Sequence, residues 1–469
     1  MSSPRTLFDK LWGLHRVCDL GDGQDLLYID RVFLHERTGS IALRGLQDAG
    51  HALRSPSRVF CTMDHIVDTV PGRNDDTLMP SGRDFISATR NAAKAAGIRL
   101  FDIGDPDQGI AHVVSPEQGI ALPGATLVCP DSHTCTLGGL GALAWGIGST
   151  EAEHAMATGT LRVTRPKNLR VNFEGCLRPG VTAKDLILHL IARYGAAGGS
   201  GHAVEFAGPV IRDLPIEARM TLCNMAVEFS AFTGLVAPDE RVLAYVHGRP
   251  GAPGAGDWDA FCEHVSKLHS DASANFDAEI TIDCDELEPQ VTWGTSPEHA
   301  AAMSARVPDP VTEQDSQRRG AMAKALDYMG LVPGTPLQDI PIDAAFIGSC
   351  TNSRLSDLRL AASYLRGRSI APGVAAVCVP GSMQVKAAAE AEGLHEVFKA
   401  AGFEWRESGC SMCFYAGGET FGANKRVISS TNRNFEGRQG PGTRTHLASP
   451  LQVAASACAG RICAAQVLN

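Results

Sequence analysis

Short apolar runs recur along this chain, and polar or glycine-containing loops and then helical stretches follow them. The clearest runs span residues 125–129, 344–347 and 374–378. Continuous apolar runs of this length are typical of strands buried on both faces, as in a parallel sheet covered by helices. The sequence therefore predicts an α/β fold, with functional loops beyond the carboxyl ends of its strands. Helices are predicted over 83–96, 151–161 and 383–391.

Two shifts in composition suggest domain boundaries. Near residue 165 the glycine-rich loops give way to a strand-like run over 169–173, and residues 286–310 form a proline-rich, irregular stretch. A chain of 469 residues is long enough for two to four domains. We predict three α/β segments, which are 1–165, 166–285 and 286–469.

The overall charge restricts the partners of the chain. Its net charge is −10, with no concentrated basic stripe, whereas binding to nucleic-acid phosphates needs a basic patch. We find no apolar run long enough to span a bilayer and no secretory signal at the amino terminus. The sequence thus predicts a cytoplasmic protein without nucleic-acid or membrane partners. A few convergent arginines would still allow it to bind an acidic small molecule.

Three of the fourteen cysteines differ from the rest. Cys350 follows a predicted buried strand, and Cys410 and Cys413 form a CxxC pair. A structural zinc site normally has four protein ligands, whereas three thiolates suit an iron–sulfur cluster whose fourth iron stays open to act as a Lewis acid. On spacing alone, a redox CxxC or a coincidental pair stays open. The other cysteines are mostly scattered among apolar neighbours, as expected of small core residues.

Histidine and aspartate occur together in predicted loops. Asp64 and His65 follow one strand-like run, Asp131 and His133 follow another, and His112 precedes an apolar pair. A carboxylate beside an imidazole fixes its tautomer and raises its basicity, so such pairs can move protons. A single histidine of this kind is more often structural, but several such loops in one α/β chain favour a functional site.

A third group contains arginines. Asn432, Arg433 and Arg438 lie in one short segment rich in amides and glycine. Guanidinium groups bind carboxylates through two hydrogen bonds, so this segment could clamp an anionic substrate. A solvated loop is the alternative, and the local sequence does not decide between the two.

Taken together, these motifs resemble the aconitase superfamily, and within it the large subunits of 3-isopropylmalate dehydratases. The resemblance covers nearly the whole chain and is most specific at 347–354, 409–413 and 430–440. Further matching segments are 204–206, 221–225 and 290–295.

The resemblance implies a three-domain core around a central cleft with one [4Fe–4S] cluster held by Cys350, Cys410 and Cys413. It also implies two groups of site residues. The residues expected to handle protons near the leaving hydroxyl are Asp64, His65, His112, Asp131, His133 and Glu228. The residues expected to bind substrate or support the cluster are Ser132, Asn224, Asn432, Arg433 and Arg438.

The same resemblance implies a reaction and a partner. The expected activity is a hydro-lyase that isomerises 2-isopropylmalate and 3-isopropylmalate by dehydration and rehydration, in leucine biosynthesis. The resemblance is to the split type of the family, in which the swivelling domain with the catalytic base is expected on a separate small subunit, and the chain alone is expected to be inactive.

Departures from the family pattern leave the substrate open. Ile41 stands where the family usually has glutamine, and Ile66 where it usually has asparagine. A related enzyme for another 2-alkylmalate, such as citramalate or dimethylmalate, is therefore an alternative. A zinc protein and an iron-sensing RNA-binding protein are the alternatives of other classes, and the acidic balance disfavours the latter.

Overall fold

The computed structural model describes residues 3–415 and 417–466. Nineteen strands lie in this part of the chain: β1 Arg16–Gly21, β2 Gln24–Tyr28, β3 Arg31–His35, β4 Val59–Thr62, β5 Arg99–Phe101, β6 Thr126–Cys129, β7 Leu143–Gly146, β8 Thr160–Thr164, β9 Lys167–Glu174, β10 His202–Ala207, β11 Thr233–Leu235, β12 Ala278–Asp283, β13 Gln290–Thr292, β14 Ala300–Ala302, β15 Ala344–Ile347, β16 Ala375–Cys378, β17 Glu404–Trp405, β18 Arg426–Ser429 and β19 Arg444–Leu447.

Fifteen α-helices lie in the same described ranges: α1 Leu7–His15, α2 Glu36–Asp48, α3 Gly82–Ala96, α4 Ala111–Glu117, α5 Ser149–Thr158, α6 Ala183–Tyr194, α7 Pro209–Asp213, α8 Ile216–Asn224, α9 Glu240–Val246, α10 Trp258–Val265, α11 Ser316–Met329, α12 Leu355–Leu365, α13 Met383–Ala391, α14 Leu394–Ala401 and α15 Pro450–Ala459. None of them is long and apolar enough to cross a membrane.

The chain forms two compact units. Unit 1 contains the residues up to Val67, Pro80–Cys176 and Ala197–Asp283. Unit 2 contains Asp68–Met79, Leu177–Ala196 and the chain from Cys284 onward. The division into segments 1–165, 166–285 and 286–469 stays a prediction.

Unit 1 is built on a five-stranded parallel sheet with the order β5-β4-β3-β6-β7. Leu34 of β3 packs with Leu43 of α2 on one face of this sheet, and Phe33 packs with Val114 of α4 on the other. Both faces are thus covered, as the apolar runs predicted. A parallel sheet β11-β10-β9-β12 and an antiparallel sheet β1-β2-β8 complete the unit.

Unit 2 repeats the same design with a second five-stranded parallel sheet, in the order β17-β16-β15-β18-β19. All four residues of its central strand β15 are buried. A short antiparallel pair, β13-β14, belongs to the same unit. The predicted α/β class with parallel sheets is confirmed.

The individual elements agree with the sequence predictions, with one clear exception. Strands β6, β15 and β16 lie at the predicted apolar runs, and α13 has the predicted bounds. The helix predicted over 151–161 ends at Thr158 instead. Gly159 adopts the left-handed conformation with φ 71°, which terminates the helix, and the chain then enters β8 beside β2. The prediction that the helix reaches Leu161 was therefore wrong.

Candidate functional site

In unit 1, polar side chains gather where three neighbouring strands end. Strand β4 is followed by Asp64 and His65, β3 ends at His35 with Glu36 next in the chain, and β6 is followed by Asp131. These strands are adjacent and parallel in the order β4-β3-β6. Their carboxyl ends therefore meet at one edge of the sheet, where α/β proteins place their functional groups.

Asp131 connects three of the predicted histidines. Its Oδ2 lies 3.3 Å from His65 Nε2. Its Oδ1 lies 3.1 Å from His112 Nε2 and 3.5 Å from His133 Nδ1. Burial alone would raise the pKa of Asp131, but hydrogen bonds from these imidazoles hold that pKa well below its usual range. Asp131 is thus kept as a carboxylate that orients the three rings.

The network extends to a carboxylate at each end. His65 Nδ1 lies 2.6 Å from Asp64 Oδ1, and His133 Nε2 lies 2.9 Å from Glu228 Oε1. Burial would raise the pKa of Asp64, but the charge and hydrogen bond of His65 lower it below its ordinary value. The structure therefore brings together all six residues predicted to handle protons. Alternating carboxylates and imidazoles can hold and relay protons along such a chain.

Sequence reasoning missed two buried residues that support this network. Both oxygens of Glu36 accept backbone N–H groups, from Asp64 at 3.0 Å and from His65 and Ile66 at 2.7 and 2.5 Å. Burial, and then the charge of Asp64, raises the pKa of Glu36 to about 7. His35 stacks on His65 with ring centroids 4.2 Å apart. Their position at the end of a buried strand, matching that of Asp64, was the signal that could have identified them.

The same four side chains are close enough to be considered as metal ligands. The ligand atoms of His35, Glu36, Asp64 and His65 lie within 4.8 Å of one another. However, the Glu36 oxygens already accept three backbone N–H groups, and His65 Nδ1 is paired with Asp64. We interpret the group as a hydrogen-bonded support for the loop at 64–66.

The predicted substrate residues of unit 1 differ in exposure. Ser132 is exposed at the start of the 3-10 helix Ser132–Leu140, for which Asp131 is the N-cap residue. Asn224 is completely buried at the end of α8 and donates from Nδ2 to Thr136 Oγ1 at 2.8 Å. Ser132 can therefore meet a small molecule, whereas Asn224 supports the helix that follows Asp131.

In unit 2, the three singled-out cysteines come together below the surface. Cys350 follows β15, and Cys410 and Cys413 follow β17, with Cys413 N–H donating to Cys410 O at 2.9 Å. Each of the three residues is only 6% exposed. Ser349 joins the two segments, because its Oγ lies 3.1 Å from Cys413 Sγ and 3.9 Å from Cys350 Sγ.

Part of the predicted arginine segment also meets these thiols. Asn432 follows β18, the neighbour of β15, and its Nδ2 lies 3.5 Å from Cys350 Sγ. Asn432 Oδ1 and Arg438 Nη2 each lie 3.9 Å from Cys413 Sγ. Both side chains are buried, which excludes a fully solvated loop. Arg433 is half-buried in the same segment.

The backbone is strained next to two of the cysteines. Ser349, immediately before Cys350, has φ 84°, and Ser411, immediately after Cys410, has φ 47°. Residues other than glycine rarely adopt such angles, each at a cost of about 1–3 kcal/mol. Both strained residues thus lie at turns next to the cysteines. Backbone strain of this kind is common in functional sites.

Comparison with known proteins assigns the chain to a family. The aconitase family (aconitate hydratase) matches residues 9–460. The chain belongs to the aconitase family. The 3-isopropylmalate dehydratase large subunit 1 of Bradyrhizobium diazoefficiens is 53% identical over 458 residues, which are 98% of this chain and 96% of that relative.

A solved structure was also matched. It is the holo form of aconitase X from Thermococcus kodakaraensis, with a TM-score of 0.45 and 14% identity, covering 87% of this chain and 84% of that one. The family assignment rests on the sequence match over residues 9–460.

Membership of the aconitase family implies an iron–sulfur cluster, and the cysteine site of unit 2 fits such a group. It offers three buried thiols, and sulfur is the ligand that iron–sulfur clusters take. The Asn432 amide donates toward Cys350 Sγ, and the Ser349 hydroxyl and the Arg438 guanidinium lie near Cys413 Sγ. Hydrogen bonds to ligating sulfur are among the factors that tune such clusters.

Proposed function

We propose that this chain is the large subunit of a hydro-lyase of the 3-isopropylmalate dehydratase type, which interconverts 2-isopropylmalate and 3-isopropylmalate in leucine biosynthesis. The 53% identity to the Bradyrhizobium diazoefficiens subunit carries the proposal, because the alignment covers 98% of this chain. A match of this extent includes both the proton network of unit 1 and the cysteine site of unit 2.

We assign Cys350, Cys410 and Cys413 as the ligands of one [4Fe–4S] cluster. Thiolates around a single zinc ion lie about 4 Å apart, since each zinc–sulfur bond is about 2.3 Å. Among the described residues, only the ligand atoms of His35, Glu36, Asp64 and His65 form a group of three or more within 4.8 Å of one another. The three cysteine sulfurs are therefore not all within 4.8 Å of one another. This wider spacing favours a cluster over one zinc ion. With three cysteine ligands, such a cluster keeps one iron open to supply Lewis-acid activation of a hydroxyl leaving group.

The residues of unit 1 would supply the proton chemistry. Asp131, kept anionic, orients the imidazoles that it contacts, and a ring N–H positioned in this way can donate a proton to a departing hydroxyl. Asp64 holds His65 from its other side, and Glu228 does the same for His133. His112 contacts the same Asp131 oxygen as His133. We propose that these six residues protonate and steady the leaving group and return the proton on rehydration.

Substrate binding or support of the site is proposed for five further residues. In unit 2, Arg433 and Arg438 are the candidate partners of a substrate carboxylate, because guanidinium groups match carboxylates in geometry and charge. Asn432, which touches two of the thiols, is proposed to contact both the cluster and the substrate. In unit 1, we assign Ser132 to direct binding of the substrate and Asn224 to support of the 3-10 helix that follows Asp131.

A second polypeptide completes the proposed enzyme. The relative from Bradyrhizobium is named a large subunit, so we propose that a small subunit pairs with this chain and carries the swivelling domain with the base that removes the carbon-bound proton. The chain alone is then expected to be inactive. A location in the cytoplasm, without nucleic-acid or membrane partners, stays a prediction.

The test is an assay of the anaerobically reconstituted chain with its genomically neighbouring small subunit. We expect hydration and dehydration of the isopropylmalates to be fastest in a panel that also contains citramalate, dimethylmalate and citrate. Preference for another 2-alkylmalate would keep the reaction class and reassign the substrate, with Ile41 and Ile66 as the first positions to exchange.

Measurements of metal and RNA binding separate the other classes. Zinc without iron or sulfide after anaerobic preparation would refute the cluster assignment. Salt-sensitive binding of RNA by the apo-protein would favour the RNA-binding alternative.

A further inference from the structure

One lysine is buried in unit 2, in a position that is unfavourable for a cation. All nine lysines lie in the described ranges, and Lys184, with no exposed surface, is the buried one. Burying an ammonium group is strongly unfavourable unless its surroundings compensate. Lys184 is also the second residue of α6, and a cation in the first turn of a helix opposes the helix dipole. Two separate costs therefore have to be offset by its contacts.

Those contacts are oxygen atoms of two loops. Lys184 Nζ lies 2.9 Å from Ser430 O and 3.5 Å from Asn352 Oδ1, and it also donates to Thr431 O. Three acceptors match the three N–H groups of an ammonium group, whereas a neutral amine has two. These acceptors are uncharged oxygens that solvate the ammonium group locally.

Both loops hold elements of the cysteine site. Asn352 lies two residues after Cys350, and Thr431 immediately precedes Asn432, whose amide approaches Cys350 Sγ at 3.5 Å. The loops also contact each other directly, through Gly348 N–H and Ser430 Oγ at 3.0 Å. Lys184 thus connects the backbone of one loop to a side chain of the other.

The neighbouring acid of α6, Asp185, interacts with Lys184 through its charge but directs its oxygens to other residues. Asp185 accepts the Gln290 N–H at 2.7 Å with Oδ1 and the Thr182 N–H and hydroxyl at 2.8 Å with Oδ2. These contacts fix the first turn of α6, and with it the point from which the Lys184 side chain extends.

We infer that Lys184 is a positioning residue for the iron–sulfur cluster: it fastens the Cys350 loop to the Asn432 loop and adds a buried positive charge that favours an anionic metal centre between thiolates. This inference rests on the proposed assignment of the cluster to Cys350, Cys410 and Cys413. A cluster with its thiolate ligands carries net negative charge, and a nearby buried cation stabilises it because the surrounding dielectric is low.

The experiment compares Lys184→Gln with Lys386→Met in the full chain, reconstituted anaerobically with its small subunit. Glutamine keeps a polar side chain but removes the charge. Lys386 is a matched control in unit 2, since its Nζ lies 2.8 Å from Glu390 and 3.7 Å from Glu407, outside the cysteine site. Iron and sulfide per chain, the rate of iron loss to a chelator, the reduction potential and the circular dichroism spectrum are measured for each.

We expect Lys184→Gln to fold, to lose iron at least severalfold faster than the wild type and to shift the reduction potential to a more negative value. Lys386→Met is expected to match the wild type in all four measurements. Equal iron-loss rates and potentials in Lys184→Gln and the control would overturn the inference. Should Lys184→Gln fail to fold, the same comparison with Asn352→Ala, which removes one acceptor of Lys184, decides whether this contact affects cluster retention. A wild-type chain that binds no cluster would refute the proposed function, an outcome distinct from either of these.

Discussion

In both units the candidate functional groups lie in loops after parallel strands, but the two units use different types of side chain. In unit 1 the groups are ionisable and pair with one another, as in the contacts of Asp131 with three imidazoles. In unit 2 the thiols meet an amide, a hydroxyl and a guanidinium at 3.1–3.9 Å. Both sets follow the carboxyl ends of strands in five-stranded parallel sheets.

This difference separates a site held together by the protein's own ion pairs from one that is organised for a group still to be bound. Asp131 pairs with three imidazoles, and Asp64 and Glu228 each pair with one of them, so the arrangement of unit 1 is held by protein groups. Thiols are weak donors and acceptors, and long contacts to them contribute little until they bind metal. We therefore expect changes in unit 1 to affect proton transfer, and changes in unit 2 to affect the cluster first.

The largest effect is expected for Cys410→Ser in unit 2. Removing a proposed ligand should abolish the brown colour and leave no detectable activity, because the Lewis acid contributes several kcal/mol of transition-state stabilisation and each 1.4 kcal/mol is about tenfold in rate. The measurement is iron and sulfide content together with turnover. Cys458→Ser, at a half-exposed position in α15, is the control and should retain both. A full cluster in Cys410→Ser would remove Cys410 from the site.

In unit 1 we expect Asp131→Asn to lower turnover roughly a hundredfold to ten-thousandfold, the range usual for loss of acid–base catalysis. An amide would no longer offer two carboxylate oxygens to orient the three imidazoles. Iron and sulfide per chain are measured as well and should equal the wild-type values, which distinguishes this variant from Cys410→Ser. Asp259→Asn, exposed on α10, serves as the control. Loss of cluster in Asp131→Asn would show that the two sites are not separable in this way.

The sequence predicted what depends on local pattern. Unbroken apolar runs gave strands β6, β15 and β16 because burial on both faces leaves no room for polar alternation. Asp64 and Asp131 were found because each lies two residues after the end of a short apolar strand. The helix predicted over 151–161 was too long, because Gly159 ends it after Thr158. The helical pattern of the residues on either side of this glycine hid its effect.

The residues that support these sites were not predicted, because their roles depend on contacts distant in sequence. Glu36 accepts N–H groups from residues 28 to 30 positions away. Lys184 meets carbonyl groups about 246 positions away. Glutamate at a helix start and lysine in a helix are both ordinary in sequence, and only their burial distinguishes them.

Removal of the cluster should affect the two regions differently. In the apo-chain we expect amide hydrogen exchange to rise about tenfold over 348–352 and 409–413, because those loops lose the group that their thiols hold. Exchange at 64–66 should not change, since the buried Glu36 carboxylate accepts those three N–H groups in either state. Mass spectrometry of peptides from apo and reconstituted protein measures both. Equal changes in the two regions would contradict the comparison.

The smallest expected effect is a difference in pH dependence between two buried aspartates. Burial raises the pKa of Asp185 in unit 2 from its ordinary 3.8 to about 6, so its stabilising contribution is complete below pH 3.8 and is lost as the pH rises through 6. The pKa of Asp131 is lowered, so its contribution is present above 3.8 and is lost only as the pH falls below that value.

Urea unfolding of the apo-chain at pH 5 and pH 8 distinguishes these two signs. Relative to Asp185→Asn, the wild type should lose about 1 kcal/mol of unfolding free energy over this range, by linkage to one titrating group. The Asp131 carboxylate itself should contribute no change over this range, because it is ionised in the folded and unfolded states throughout. A constant difference for Asp185→Asn would mean that Asp185 is already ionised at pH 5. Its contacts with the N–H groups of Gln290 and Thr182 would then outweigh its burial.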